Sequence, residues 1–124
     1  VLLYFALLTY VLIMPKSKII VLDIGHSHQS LEQAIIALET SVSQASYENK
    51  IKIIKVITGH GSGLLREKVR QWCYEQKGRF KGVVYGENYS IFNEETNKMR
   101  EACDNFYDND LDKGNSAITY IWLW

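Results

Sequence analysis

Four short apolar runs alternate along this chain with stretches of helical period, and that rhythm constrains the fold more than any other feature. The runs are Lys18 to Asp23 (KIIVLD), Lys50 to Ile57 (KIKIIKVI), Phe80 to Tyr85 (FKGVVY) and Ser116 to Leu123 (SAITYIWL). Short, β-branched and bounded by polar turns, they read as buried strands. Between the first two, Ser30 and Gln33 form a capping box that starts a helix at Leu31. Leu31, Ala34, Ile35, Leu38, Val42 and Ala45 then give it one apolar stripe. Between the second and third, Leu64, Leu65, Val69, Trp72 and Cys73 mark a second amphipathic helix, with Gly78 placed to stop it. In the long connection before the last strand, Glu94 to Phe106 predicts a helix with Met99, Cys103 and Phe106 inward. The order β-α-β-α-β-(α)-β predicts a single α/β domain over residues 15–124, with a four-stranded, mostly parallel or mixed sheet packed with helices.

The 124 residues suit one domain, and a 47% hydrophobic content is enough to bury a core. One Pro and 8 Gly exclude collagen-like or linker character. Fourteen Lys/Arg against fourteen Asp/Glu cancel overall, but they are segregated. Residues 50–82 hold nine Lys/Arg and two Glu, a net of +7, while residues 83–124 carry −5 and residues 1–49 carry −2. Neutrality therefore does not exclude a nucleic-acid partner. It predicts binding that is local, modest and strongly salt-dependent. The two cysteines, Cys73 and Cys103, lack CxxC spacing and read as buried thiols of a reducing, cytoplasmic compartment.

Val1 to Met14 (VLLYFALLTYVLIM) is apolar apart from Thr9. A membrane-spanning helix needs about 20 residues and roughly 17 at least, and no basic leader or small-residue cleavage site accompanies the run. Met14-Pro15-Lys16-Ser17-Lys18 reads as an ordinary bacterial start, which predicts that residues 1–13 are not native; the rival expectation is the end of a longer anchor.

Two polar loops leave strand ends: Asp23 to His28, and Thr58 to Gly63 (TGHGSG). Ligands of open α/β sheets gather at the carboxyl ends of parallel strands. All three histidines, His26, His28 and His60, fall in these loops. Glycines at 59, 61 and 63 allow close backbone approach, and the second loop opens a helix whose free amides favour an anion. Thr58, Gly59, Gly61, Ser62 and Gly63, with Arg66, Lys68 and Arg70 on that helix, are the candidate phosphate contacts. A plain strand-to-helix turn explains the glycines alone equally well. Asp23 is a carboxylate capping loop amides, a general base, or a group orienting an imidazole; imidazole moves protons near neutral pH. His26 and His60 are the candidate proton-transfer groups, and His28 reads as a loop residue.

Asp108 to Gly114 (DNDLDKG) superficially suggests a calcium loop, but its glycine is seventh rather than sixth and its twelfth position is Thr119, so it reads as a solvated loop. Tyr85, Tyr89, Trp122 and Trp124 suit either base stacking or packing.

LDIGH at Leu22–His26, the capped LEQA segment, TGHG at Thr58–Gly61, GLLREKVRQW from Gly63 and the closing AITYIWL together resemble the Smr (small MutS-related) domain, over roughly residues 19–124. Its hallmarks are LDxH at the first strand end and TGxG before the second helix. The second is matched in full. In the first, Ile24 and Gly25 both stand between Asp23 and His26, where the family has one residue. The resemblance implies binding to DNA or RNA, often with nicking or cleavage in which the motif's acid and histidine take part. The expected function is a nucleic-acid-binding, endonuclease-type module that hydrolyses phosphodiesters, with Asp23, His26 and His60 catalytic. A divalent metal would suit such chemistry, but the sequence requires none. The alternative is a non-catalytic nucleic-acid-binding module of the same fold. VLDIGH also resembles the opening of zinc-dependent N-acetylmuramoyl-L-alanine amidases, in which His26 would bind zinc with Glu39 and His60 as the only further ligands.

Overall fold

The computed structural model describes residues 18–124; the expectations for Val1 to Met14 lie outside the described residues. The chain runs β1 (Ile19–Asp23), α1 (Leu31–Glu48), β2 (Ile53–Ile57), α2 (Leu64–Glu75), β3 (Gly82–Tyr85), a 3-10 turn (Gly86–Asn88), α3 (Glu94–Ala102) and β4 (Ile118–Trp122). The capping box is present at α1. Ser30 Oγ accepts from the Gln33 amide at 3.1 Å, and Gln33 Oε1 accepts from the Ser30 amide at 3.1 Å. The helix closes on Asn49, whose left-handed φ of 57° lets its N–H reach Ala45 O.

The strand order is β1-β2-β4-β3. β1 and β2 pair in parallel, and β4 lies antiparallel to both its neighbours. The three strands of the βα rhythm thus share one direction, and the last threads between β2 and β3 in the other. All five β4 residues are buried, as a central strand covered on both faces requires.

Side chains alternate between two apolar layers. On one face Ile54, Val56 and Ile121 meet Ala34, Leu38, Val42 and Ala45 of α1 and Val69 and Cys73 of α2. On the other Ile53, Ile118, Tyr120 and Trp122 meet Met99 and Cys103. Helix α3 ends sooner than its pattern suggests because Asp104 and Asn105 adopt positive φ. Met99 and Cys103 still turn inward, and Phe106 packs partly buried beside them.

The 108–114 segment is not simply solvated. Lys55, inward on β2, sits on this second face with its ammonium 2.8 Å from Asp108 Oδ1 and 2.5 Å from Asp110 Oδ2. Tyr120 donates its hydroxyl to Asp108 Oδ2 at 2.8 Å. A buried ammonium demands such partners, and they pin the long connection to the sheet. No helix among the described residues is long and apolar enough to cross a membrane.

Candidate functional site

Parallel pairing of β1 and β2 sets Asp23 level with Ile57, so the two polar loops leave the sheet side by side. They are sewn together by the amides of Ile24 and Gly25, which both donate to Ile57 O, at 3.0 and 3.1 Å. Gly25 is required by this contact: a Cβ there would lie 2.5 Å from the carbonyl carbon of Thr58 and 2.8 Å from the amide nitrogen of Gly59. Ile24 turns inward and is buried in the core. The longer spacing between Asp23 and His26 therefore holds one side chain for the interior and one glycine for the neighbouring loop.

Despite that spacing, the acid and the imidazole meet. His26 Nδ1 lies 2.7 Å from Asp23 Oδ2, while Asp23 Oδ1 accepts from the amides of Gly25 and His26 at 3.1 and 3.3 Å. Asp23 thus caps loop amides and orients a ring at once. Partial desolvation pushes its carboxyl upward, but the ring and the amides outweigh that and hold it below the usual carboxylate range. With Nδ1 engaged by the carboxylate, Nε2 is the ring nitrogen left for chemistry.

Between the loops opens a cleft of about 470 Å³, lined by His26 from the first loop, Thr58 to Gly63 from the second, and Leu64, Leu65 and Arg66 from the start of α2. Helix α2 is not capped as α1 is. Its cap residue Gly63 takes φ 85° and offers no side chain, and only Ser62 Oγ approaches the Leu64 amide, at 3.4 Å. First-turn amides therefore point into the cleft end with the positive pole of the helix behind them. The Arg66 guanidinium folds back over Gly63 and touches Ser116 Oγ at 3.5 Å. Among the described residues it makes no ion pair, though its charge helps hold the Glu87 carboxyl low.

The structure brings together His26, Gly59, His60, Gly61, Ser62, Gly63 and Arg66. Asp23 stands behind His26 and does not itself line the cleft. Thr58 lines it but is buried, and both its amide and its hydroxyl donate to Ala117 O, at 2.8 and 3.0 Å; it anchors the loop. Lys68 is exposed outside the cleft. Arg70 is also outside it, held by a two-pronged pair with Glu87 at 2.9 and 2.6 Å and stacked on Tyr85 at 4.0 Å. His28 does not line the cleft. Of the candidate stacking rings, Tyr89 and Trp122 are buried, while Tyr85 and Trp124 retain exposure. Glu39 bonds Arg79 at 2.8 Å rather than joining His26 and His60, so the amidase ligand set is not assembled. Among the described residues no cluster of three or more His, Cys, Asp and Glu side chains is placed to hold a metal ion.

Sequence reasoning missed Gly25 and the Ala117 carbonyl. A glycine between a strand-end acid and a histidine is a signal for close backbone approach, whereas a main-chain acceptor 59 residues away leaves no mark in a sequence.

A mixed four-stranded sheet with paired helices on one face, and a glycine loop meeting a strand-end Asp–His pair, defines an Smr-type α/β domain. The family model for the Smr domain matches residues 26–88, half of the chain, and the chain belongs to that family. The crystal structure of the Smr domain of Thermus thermophilus MutS2 shares the fold, with a TM-score of 0.52 at 12% identity, covering 86% of this chain and 96% of that one. No curated protein matches the chain by sequence.

Proposed function

We propose that the cleft binds a nucleic-acid phosphodiester and hydrolyses it. The observation that carries this reading is the 2.7 Å contact of His26 Nδ1 with Asp23 at the mouth of a cleft whose far end is an uncapped helix start. The phosphate would lie on the amides of Gly59 to Gly63 and on Arg66, where backbone donors, helix dipole and guanidinium act together. His26 Nε2 would take a proton from the attacking water as its oxygen bonds to phosphorus, and His60 or the resulting imidazolium would return one to the leaving oxygen as the P–O ester bond breaks. Asp23 is the positioning residue, stabilising the imidazolium and holding the ring. General acid–base transfer of this kind contributes about 10²–10⁴-fold.

The test incubates end-labelled DNA and RNA with wild type, Asp23→Asn, His26→Ala and His60→Ala, with and without divalent metal. The expected result is cleavage by wild type that falls about 10²–10⁴-fold in His26→Ala, with binding retained. Binding without cleavage by wild type under every condition would leave the non-catalytic module, and absence of binding at low salt would defeat both.

A further inference from the structure

A second concavity, of about 430 Å³, lies between the C-terminal half of α2 and β3, an edge strand of the sheet. Two cations, Arg70 and Lys77, and three rings, Tyr74, Phe80 and Tyr85, line it; among the described residues no acidic side chain does. Arg70 is already neutralised by Glu87, but Lys77 has no carboxylate partner among the described residues and sits 4.5 Å over the Tyr74 ring. Tyr74 is 68% exposed and Tyr85 36% exposed. Arg66, Arg70 and Tyr74 follow one another at i,i+4, so one ridge of α2 runs from the phosphate cleft to this groove, and Lys77 lies in the turn just past the helix end. From Arg66 to Tyr74 that ridge is about 12 Å long at ~1.5 Å per residue. It spans about three to four nucleotides at the ~3.4 Å rise of one duplex strand, and fewer of an extended strand.

We propose that this groove is a stacking track for single-stranded nucleic acid continuing from the cleft, with unpaired bases on Tyr74 and Tyr85 and phosphates on Lys77. The inference rests on the nucleic-acid reading of the cleft and narrows its substrate to a strand that is unpaired on the α2 side. Exposed rings with interleaved cations take bases only when those bases are free. In a duplex their faces are covered by their neighbours, and a tyrosine platform gains nothing. Arg70 stacks on Tyr85 and fixes its plane, as a platform requires.

Fluorescence anisotropy of the whole chain with a labelled short single strand and with its blunt duplex tests the track. Tyr74→Ala and Tyr85→Ala each weaken single-strand binding by about 5- to 150-fold. Duplex affinity stays unchanged, and the Tyr→Phe variants bind as wild type. Tyr85 packs on Arg70, so thermal unfolding accompanies its variant; should Tyr85→Ala be unstable, Tyr74→Ala, on an exposed ring, carries the test. Wild-type single-strand affinity in Tyr74→Ala, or equal losses for strand and duplex, overturns the track while leaving the cleft reading standing. A wild type that binds neither nucleic acid overturns both.

Discussion

Replacing Gly25 with alanine tests whether the meeting of the two loops creates the site. The added methyl would stand 2.5 Å from Thr58 C, 2.7 Å from Thr58 O and 2.8 Å from Gly59 N. All three are backbone atoms, so no side-chain rotation relieves them. Restoring the closest contact to an ordinary 3.4 Å requires the loops to part by about 0.9 Å. Overpacking of this kind costs about 1–3 kcal/mol, and stretching the 3.0 and 3.1 Å bonds to Ile57 O adds about 1 kcal/mol. The total, about 2–4 kcal/mol, lowers Tm by roughly 8–20 °C in a domain of this size. Gly61 is the internal control: it lies in the same cleft with nothing among the described residues within 4 Å of its Cβ position, and its alanine variant stays within about 0.5 kcal/mol of wild type. Denaturant unfolding of the two variants side by side reads the difference. A Gly25→Ala protein as stable as Gly61→Ala would refute the close approach, and with it the geometry assigned to the cleft.

Lys55→Ala strands the buried Asp108 carboxylate and costs about 3–5 kcal/mol in urea unfolding. The acid side of the same pair has a definite sign. The Lys55 hydrogen bond, outweighing some desolvation, holds the Asp110 carboxyl below its ordinary 3.8. Its contribution is therefore complete above that value and lost as pH falls through the lowered one, and Lys55→Ala flattens the acid slope of stability. Arg70→Lys loses the fork on Glu87 and the stack on Tyr85, for a loss of about 1–3 kcal/mol measurable by thermal melting. Burial, against the pull of Arg70, pushes the Cys73 thiol up to about 12. Thiol-reactive dye at mildly alkaline pH should leave it unmodified in the folded protein and label it on unfolding.

Local chemistry carried much of this structure into the sequence. Ser30 and Gln33 announce α1 because both halves of a capping box lie three residues apart. The glycine loop, His26 and His60 point to the candidate cleft because strand ends and helix starts have their own residue preferences. What failed to show was long-range. Nothing in SAITYIWL distinguishes a central antiparallel strand from a parallel one, since both are apolar on two faces; only pairing with β2 and β3 decides it. Asp108 and Asp110 read as solvated because their partner, Lys55, is more than 50 residues away. Its signal was present all the same. A lysine inside IIKVI, on a strand buried on both faces, demands a carboxylate. Arg70 looked like a phosphate contact from its place on α2, and Glu87, 17 residues on, claims it instead. Three cations of the basic segment, Lys55, Arg70 and Arg79, are answered in the same way by acids. Arg66 is the cation that lines the cleft among the described residues.

Amide chemical-shift mapping of the folded chain, titrated at low salt with a short single-stranded oligonucleotide, tests the central claim most directly. The account predicts the largest shifts at Gly25 and His26 and from Gly59 through Arg66, fading as salt is raised. Shifts confined to the α3 face of the sheet, with the two loops unmoved, would contradict it.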